Sequence, residues 1–164
     1  MTNNPVELRP TQDSRHFFML PQSPMDSGYY TYGMLDRRPD KGAYQYPHPI
    51  MMSAIIRVAF EWQSVDKRRF GVGNISLPGG PKHRDHAGHR DGLQVDIRPL
   101  RKDGLELPAT WMDHGNYDHL ATAKLIELFR TFAPVKRILF NDASISFVRH
   151  ADHHDDHFHV ELIG

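Results

Sequence analysis

The sequence predicts an α+β domain built around an antiparallel sheet. Three observations carry that expectation. Two stretches repeat apolar residues at helical spacing, four shorter ones read as strands, and their order lacks the strand–helix–strand rhythm of a parallel sheet. At 164 residues the chain is long enough for one domain with one core. Residues 1–164 are therefore expected to form a single unit, with an irregular, proline-rich lead-in over 1–43 and the core over 44–164.

Within the lead-in, Gly28-Tyr29-Tyr30-Thr31-Tyr32-Gly33 reads as an edge strand or packed loop, because aromatic side chains usually serve packing. The wall of a substrate groove is the sharper alternative. From Pro49, which suits a first helical turn, Ile50, Met51, Ala54, Ile55, Val58, Ala59 and Trp62 trace one apolar face. Phe70 to Ser76 is a short, glycine-punctuated strand, and the stretch Leu77 to Arg90 is a loop rich in Gly, Pro, His and Asp. Leu93, Val95 and Ile97 then alternate with Gln94, Asp96 and Arg98, the period of a half-buried strand. Asn116 is the expected cap of a second helix, whose face carries Tyr117, Ala121, Leu125, Leu128 and Phe132 and which Pro134 ends. Val135 to Phe140 and His157 to Ile163 supply the last strands.

Composition excludes several classes. Twenty Lys and Arg balance twenty Asp and Glu, so nucleic-acid binding by charge is not expected. Cysteine is absent, which removes disulfides, thiol catalysis and Cys-type zinc sites. No run approaches the roughly 18 apolar residues of a membrane span. The opening segment offers only Phe17 to Leu20 as an apolar run, short of the about 7–15 residues of an export signal, so no classical signal is visible. Also missing are a His-Glu-x-x-His helix, a Gly-x-Ser-x-Gly elbow and a phosphate-cradling glycine loop.

Histidine is the unusual residue. There are twelve, ten of them from His83 onward. On a strand, His157 and His159 project to the same face with Cα atoms about 6.5–7 Å apart, so both imidazoles can converge on one ion or its water. One suits a ligand and the other a base; spacing alone does not say which. His89 lies in the glycine-rich loop and Asp96 seven positions on, facing away from Val95 and Ile97 and needing a partner there. With one histidine from the last strand, these make a three-ligand His, Asp, His set, open enough for a catalytic zinc. His153, His154, Asp155 and Asp156 are candidates for outer contacts and proton transfer, with Asp155 or Asp156 expected to accept from a ligand histidine. Asp156 is the runner-up base to His157; on a regular strand it points to the opposite face. His86 suits a wall of the site. His16, His48, His114, His119 and His150 are expected at the surface.

The run His86-Ala87-Gly88-His89-Arg90-Asp91-Gly92-Leu93-Gln94-Val95-Asp96-Ile97, with His154-Asp155-Asp156-His157-Phe158-His159-Val160, resembles the penicillin-insensitive murein endopeptidases. These share a wider fold with lysostaphin, D-Ala-D-Ala metallopeptidases and hedgehog. Gly73-Asn74-Ile75-Ser76, Gly79-Gly80-Pro81, the Tyr44 to Trp62 region and Val135 to Asn141 extend the likeness over about 119 of the 164 residues. Arg90, Gln94 and Glu161 depart from the family pattern, at positions beside the motif residues.

The resemblance implies a small antiparallel sheet flanked by helices, with a zinc site in a groove on the sheet. It implies that His89, Asp96 and His159 bind one zinc per chain. His157 then acts as base or transition-state stabiliser, with His86 and His154 completing the site. The implied substrate is the peptide cross-link of peptidoglycan, chiefly between D-alanine and meso-diaminopimelate, cut in the periplasm or on the cell wall. Without a visible signal, delivery by phage lysis or a contact-dependent secretion system is expected, the latter making an antibacterial effector with an immunity partner. The alternative is a zinc-binding module of the same fold without peptidase activity.

Overall fold

The computed structural model describes residues 10–84 and 86–164. Residues 1–9, where the opening segment and the lead-in begin, lie outside the described residues, as does position 85. The chain is α+β, as expected. A six-stranded sheet runs in the order β1 (Tyr29–Thr31), β4 (Phe70–Val72), β5 (Gln94–Ile97), β8 (Phe158–Leu162), β6 (Val135–Leu139) and β7 (Val148–Arg149). A separate two-stranded ribbon pairs β2 (Met34–Leu35) with β3 (Arg38–Pro39). The four central strands are antiparallel neighbours, whereas both edge strands pair in parallel, so the sheet is mixed.

Helix α1 (Pro49–Gln63) starts where the sequence places it. His48 caps it, its Nδ1 accepting from the Ile50 N–H at 3.2 Å, and Pro49 occupies the first turn, where a missing N–H costs nothing. Helix α2 (His119–Phe132) is capped by Asp118 rather than Asn116. The Asp118 carboxylate accepts from Ala121 N–H at 3.1 Å, while Asn116 is held in the preceding turn by Asp113. Tyr117 therefore stands before the helix and not on its face.

Both helices pack on one face of the sheet. Phe129 of α2 meets Phe70 of β4 and Phe158 of β8 at ring separations of 6.0 and 6.2 Å, and Trp62 of α1 meets Phe70 at 6.5 Å. Val95, Ile97, Phe158, Val160 and Leu162 complete that core from the strands. Leu20 and Tyr29 enter the same cluster from upstream of Tyr44. Strand alternation then turns Gln94, Asp96, His159 and Glu161 to the opposite face, away from the helices.

Candidate metal centre

Asp96 and His159 are direct cross-strand partners on β5 and β8. The Asp96 N–H donates to Asn74 O on the other side of its strand. The Asp96–His159 pair is therefore one of the non-hydrogen-bonded kind, in which side chains come closest. Asp96 Oδ1 lies 3.0 Å from His159 Nδ1 and 3.2 Å from His89 Nε2, and the two nitrogens are 3.2 Å apart. A tetrahedral ion with bonds of about 2.0–2.1 Å separates its ligands by ~3.3 Å. The triangle is thus close to the size such an ion needs. Asp96, His89 and His159 are all buried.

His89 comes from the loop before β5, in the left-handed region at φ 57°, which costs a non-glycine residue about 1–3 kcal/mol. Two contacts hold it there. Its N–H donates to Gln94 Oε1 at 2.9 Å, and its Nδ1–H donates to Ile75 O at 3.0 Å, which aims Nε2 at Asp96. Gly88 makes the first contact possible, because a Cβ there would lie 2.2 Å from Gln94 Oε1.

His86, His89 and Asp96 present donor atoms within 4.8 Å of one another, a cluster able to hold a metal ion. The Asn74 amide defines the protonation of His86. Asn74 Oδ1 accepts from Met34 N–H at 2.7 Å, so its Nδ2 is the donor, both to Met34 O and to His86 Nε2 at 2.9 Å. Neutral His86 therefore carries its proton on Nδ1.

His157 stands just before β8 and still reaches the cluster, its Nε2 3.7 Å from Asp96 Oδ1. Asp156 accepts from His157 Nδ1 at 2.8 Å, so this carboxylate orients His157 instead of pointing away across a strand. His154 packs against both neighbours, with ring centroids 4.9 Å from His157 and 5.7 Å from His159. Asp155, expected to serve a ligand histidine, instead accepts from Trp111 Nε1 and Asn141 Nδ2, both at 2.9 Å. It ties down the loop that carries His157. A cavity of about 460 Å³ is lined by His86, His89, Asp96, His154, His157 and His159. Arg137 and Leu139 of β6, which the sequence reading did not single out, also line it. Two histidines expected at the surface have structural roles: His48 caps α1, and His119 Nδ1 pairs with the buried Asp142 at 2.9 Å.

The charges fit one another. Burial works against ionised Asp96, yet the imidazoles of His89, His159 and His157 overcome it and hold its pKa well below the usual carboxylate range. Burial also opposes charge on His89 and His157, but Asp96 raises the first, and Asp156 with Asp96 raises the second. Burial, with help from the imidazoles of His157 and His159, lowers His154. The site therefore pairs one firmly ionised carboxylate with two imidazoles, His89 and His157, whose protonated forms it favours.

No protein-family model and no curated protein matches the chain. Among the described residues, no helix is long and apolar enough to cross a membrane.

Proposed function

We propose that this protein is a zinc-dependent peptidase that hydrolyses the peptide cross-links of peptidoglycan, with the bond between D-alanine and meso-diaminopimelate as the expected target. The observation that supports it most is the ligand triangle of His89 Nε2, Asp96 Oδ1 and His159 Nδ1, with sides of 3.0 to 3.2 Å. Two imidazoles and one carboxylate suit zinc, and three protein ligands leave a position open, as catalytic sites require. We assign the third ligand to His159 and not to His86, because Asn74 already occupies His86 Nε2. The two motifs that resemble the murein endopeptidases contribute the substrate class.

A bound zinc would supply a water acidic enough to ionise near neutral pH and would polarise the scissile carbonyl. The protein's own groups do the rest. His157 presents Nε2 to the cavity, takes a proton from the attacking water there and delivers it to the leaving amine. Asp156 holds the Nδ1 proton of His157 and so fixes which nitrogen faces the substrate. Burial favours the neutral form of His154 beside it, and His86 lines the same cavity. Action in the periplasm or on the cell wall, after delivery by phage lysis or a secretion machine, belongs to the same reading, as does an immunity partner for an effector.

Digestion of purified cross-linked muropeptide dimers, followed by mass spectrometry with and without chelator, tests it. Chelator-sensitive conversion of dimers to monomers is expected, and the fragment masses name the bond. Intact dimers alongside one zinc per chain would overturn the peptidase and leave a zinc-binding module.

A further inference from the structure

Tyr32 carries a buried hydroxyl with no hydrogen-bond partner, the one such side-chain atom among the described residues. A buried donor left unpaired is costly, and Phe has the same shape without that cost, so the hydroxyl calls for a use.

Its location supplies one. The Tyr32 N–H donates to Val72 O at 2.9 Å, which continues the β1–β4 pairing by one residue. The ring then lies across Gly73: a Cβ at Gly73 would fall 2.5 Å from Tyr32 Cζ and 2.7 Å from its hydroxyl oxygen. Gly73 in turn stands opposite Asp96, because Val72 pairs with Ile97 and the Gly73 N–H donates to Asp96 O at 2.7 Å. Cross-strand neighbours place their Cβ positions about 4.5–5.5 Å apart, so the phenol occupies the slot beside the Asp96 carboxylate that a side chain at 73 would fill. The Arg98 guanidinium, 3.9 Å over the Tyr32 ring, presses the phenol into that slot.

All close contacts of Asp96 to the imidazoles of His89, His157 and His159 run through Oδ1. Ligating carboxylates are themselves hydrogen-bonded as a rule, which leaves Oδ2 as the atom to be served. We propose that the Tyr32 hydroxyl is the outer hydrogen-bond donor to Asp96, holding that carboxylate in its metal-binding orientation. Tyr32 is then a positioning residue, held ready in the slot and engaged when Asp96 turns Oδ1 to an ion. The proposal rests on the metal-site reading above but needs no peptidase activity.

The test is zinc affinity of the full chain and of Tyr32→Phe, by competition with a chromophoric chelator, beside thermal unfolding of both without metal. Loss of an outer donor to a ligand is expected to weaken zinc binding by about 10–100-fold. The metal-free variant should unfold at the same temperature as the parent or higher. Affinity within twofold of the parent overturns the proposal. So does a matching loss of metal-free stability, which would mean that the hydroxyl serves the fold. Gly73→Ala is the second variant: its methyl group would meet the Tyr32 phenol first and displace it from the slot, and it too should weaken zinc. A parent chain that binds no zinc would remove the metal site itself, an outcome separate from the two above.

Discussion

Asp96 Oδ1 and His159 Nδ1 stand 3.0 Å apart because their residues face each other across two antiparallel strands, so the sheet's own pairing builds two-thirds of the ligand triangle. The third corner, His89, arrives from a loop and depends on Gln94 and Ile75 to aim it. That division of labour sets the first two expectations.

Asp96→Asn should abolish stoichiometric zinc binding, because it removes the one anionic ligand and leaves imidazoles to compete with protons. Elemental analysis after dialysis reads it directly. Zinc retained at one per chain would exclude Asp96 as a ligand.

Gln94→Ala should act more gently. It deletes the acceptor of the His89 N–H, a contact worth about 1 kcal/mol, and frees a loop held at a left-handed backbone angle. Zinc affinity should fall by about fivefold to tenfold, an amount that follows from about 1 kcal/mol at 25 °C. Competition titration against the parent checks it, and an unchanged affinity would show that the loop is held otherwise.

His157→Ala should retain zinc and lose about 10²–10⁴-fold in turnover, the usual contribution of one acid–base group. Asp156→Asn should lose less and shift the pH profile, since it acts through the His157 Nδ1 contact. If Asp156→Asn proves the more damaging of the two in kcat, the base role passes to Asp156.

The pH dependence of stability should have opposite signs in the metal-free and the metal-loaded protein. In the metal-free chain, His89 and His157 have raised pKa values, so their stabilising contacts are fully present below about pH 6.5 and fade as pH rises through the folded values. His154, with a lowered pKa, runs the other way but is one group against two. Asp96 keeps its contribution until pH falls well below the usual carboxylate range. Zinc needs neutral imidazoles, so the loaded protein should gain stability over the same interval and release its metal below about pH 6. Calorimetry from about pH 6 to 8.5 should show the metal-free melting temperature falling and the loaded one rising. Two parallel curves would contradict this.

Phe129→Ala should cost about 3–5 kcal/mol in urea unfolding, because the ring is fully buried between Phe70 and Phe158 and joins α2 to two strands. A loss under 1 kcal/mol would mean that the helix layer is not anchored there.

Most of what positions the centre was legible in the chain. Alternation put Asp96 and His159 on the face opposite Val95 and Val160, and helical spacing marked Met51 through Trp62. What escaped depends on partners far away in sequence. The edge strand Tyr29–Thr31 could be read as a strand, but not its parallel pairing with Phe70–Val72 some forty residues on. Asn74 lies in a stretch read as a short strand and matched for its likeness, but its clamp on Met34 and His86 needs a loop closure that no local pattern announces. Asp118 displaced Asn116 as helix cap because Asp113 and Arg101 hold Asn116 in the preceding turn. Tyr32 was visible as part of a tyrosine run, yet its slot exists only because Gly73 has no side chain.

The cross-strand origin of the centre ties coordination to folding accuracy. A slip of one residue between β5 and β8 would bring Phe158 or Val160 opposite Asp96 and turn the apolar row toward solvent, since side chains alternate with a period of two. Only one alignment of the two strands assembles the donor set. If the centre takes up an ion as proposed, metal uptake would act as a proofreading event for the sheet, and a loaded chain would also have certified the register of its central strands.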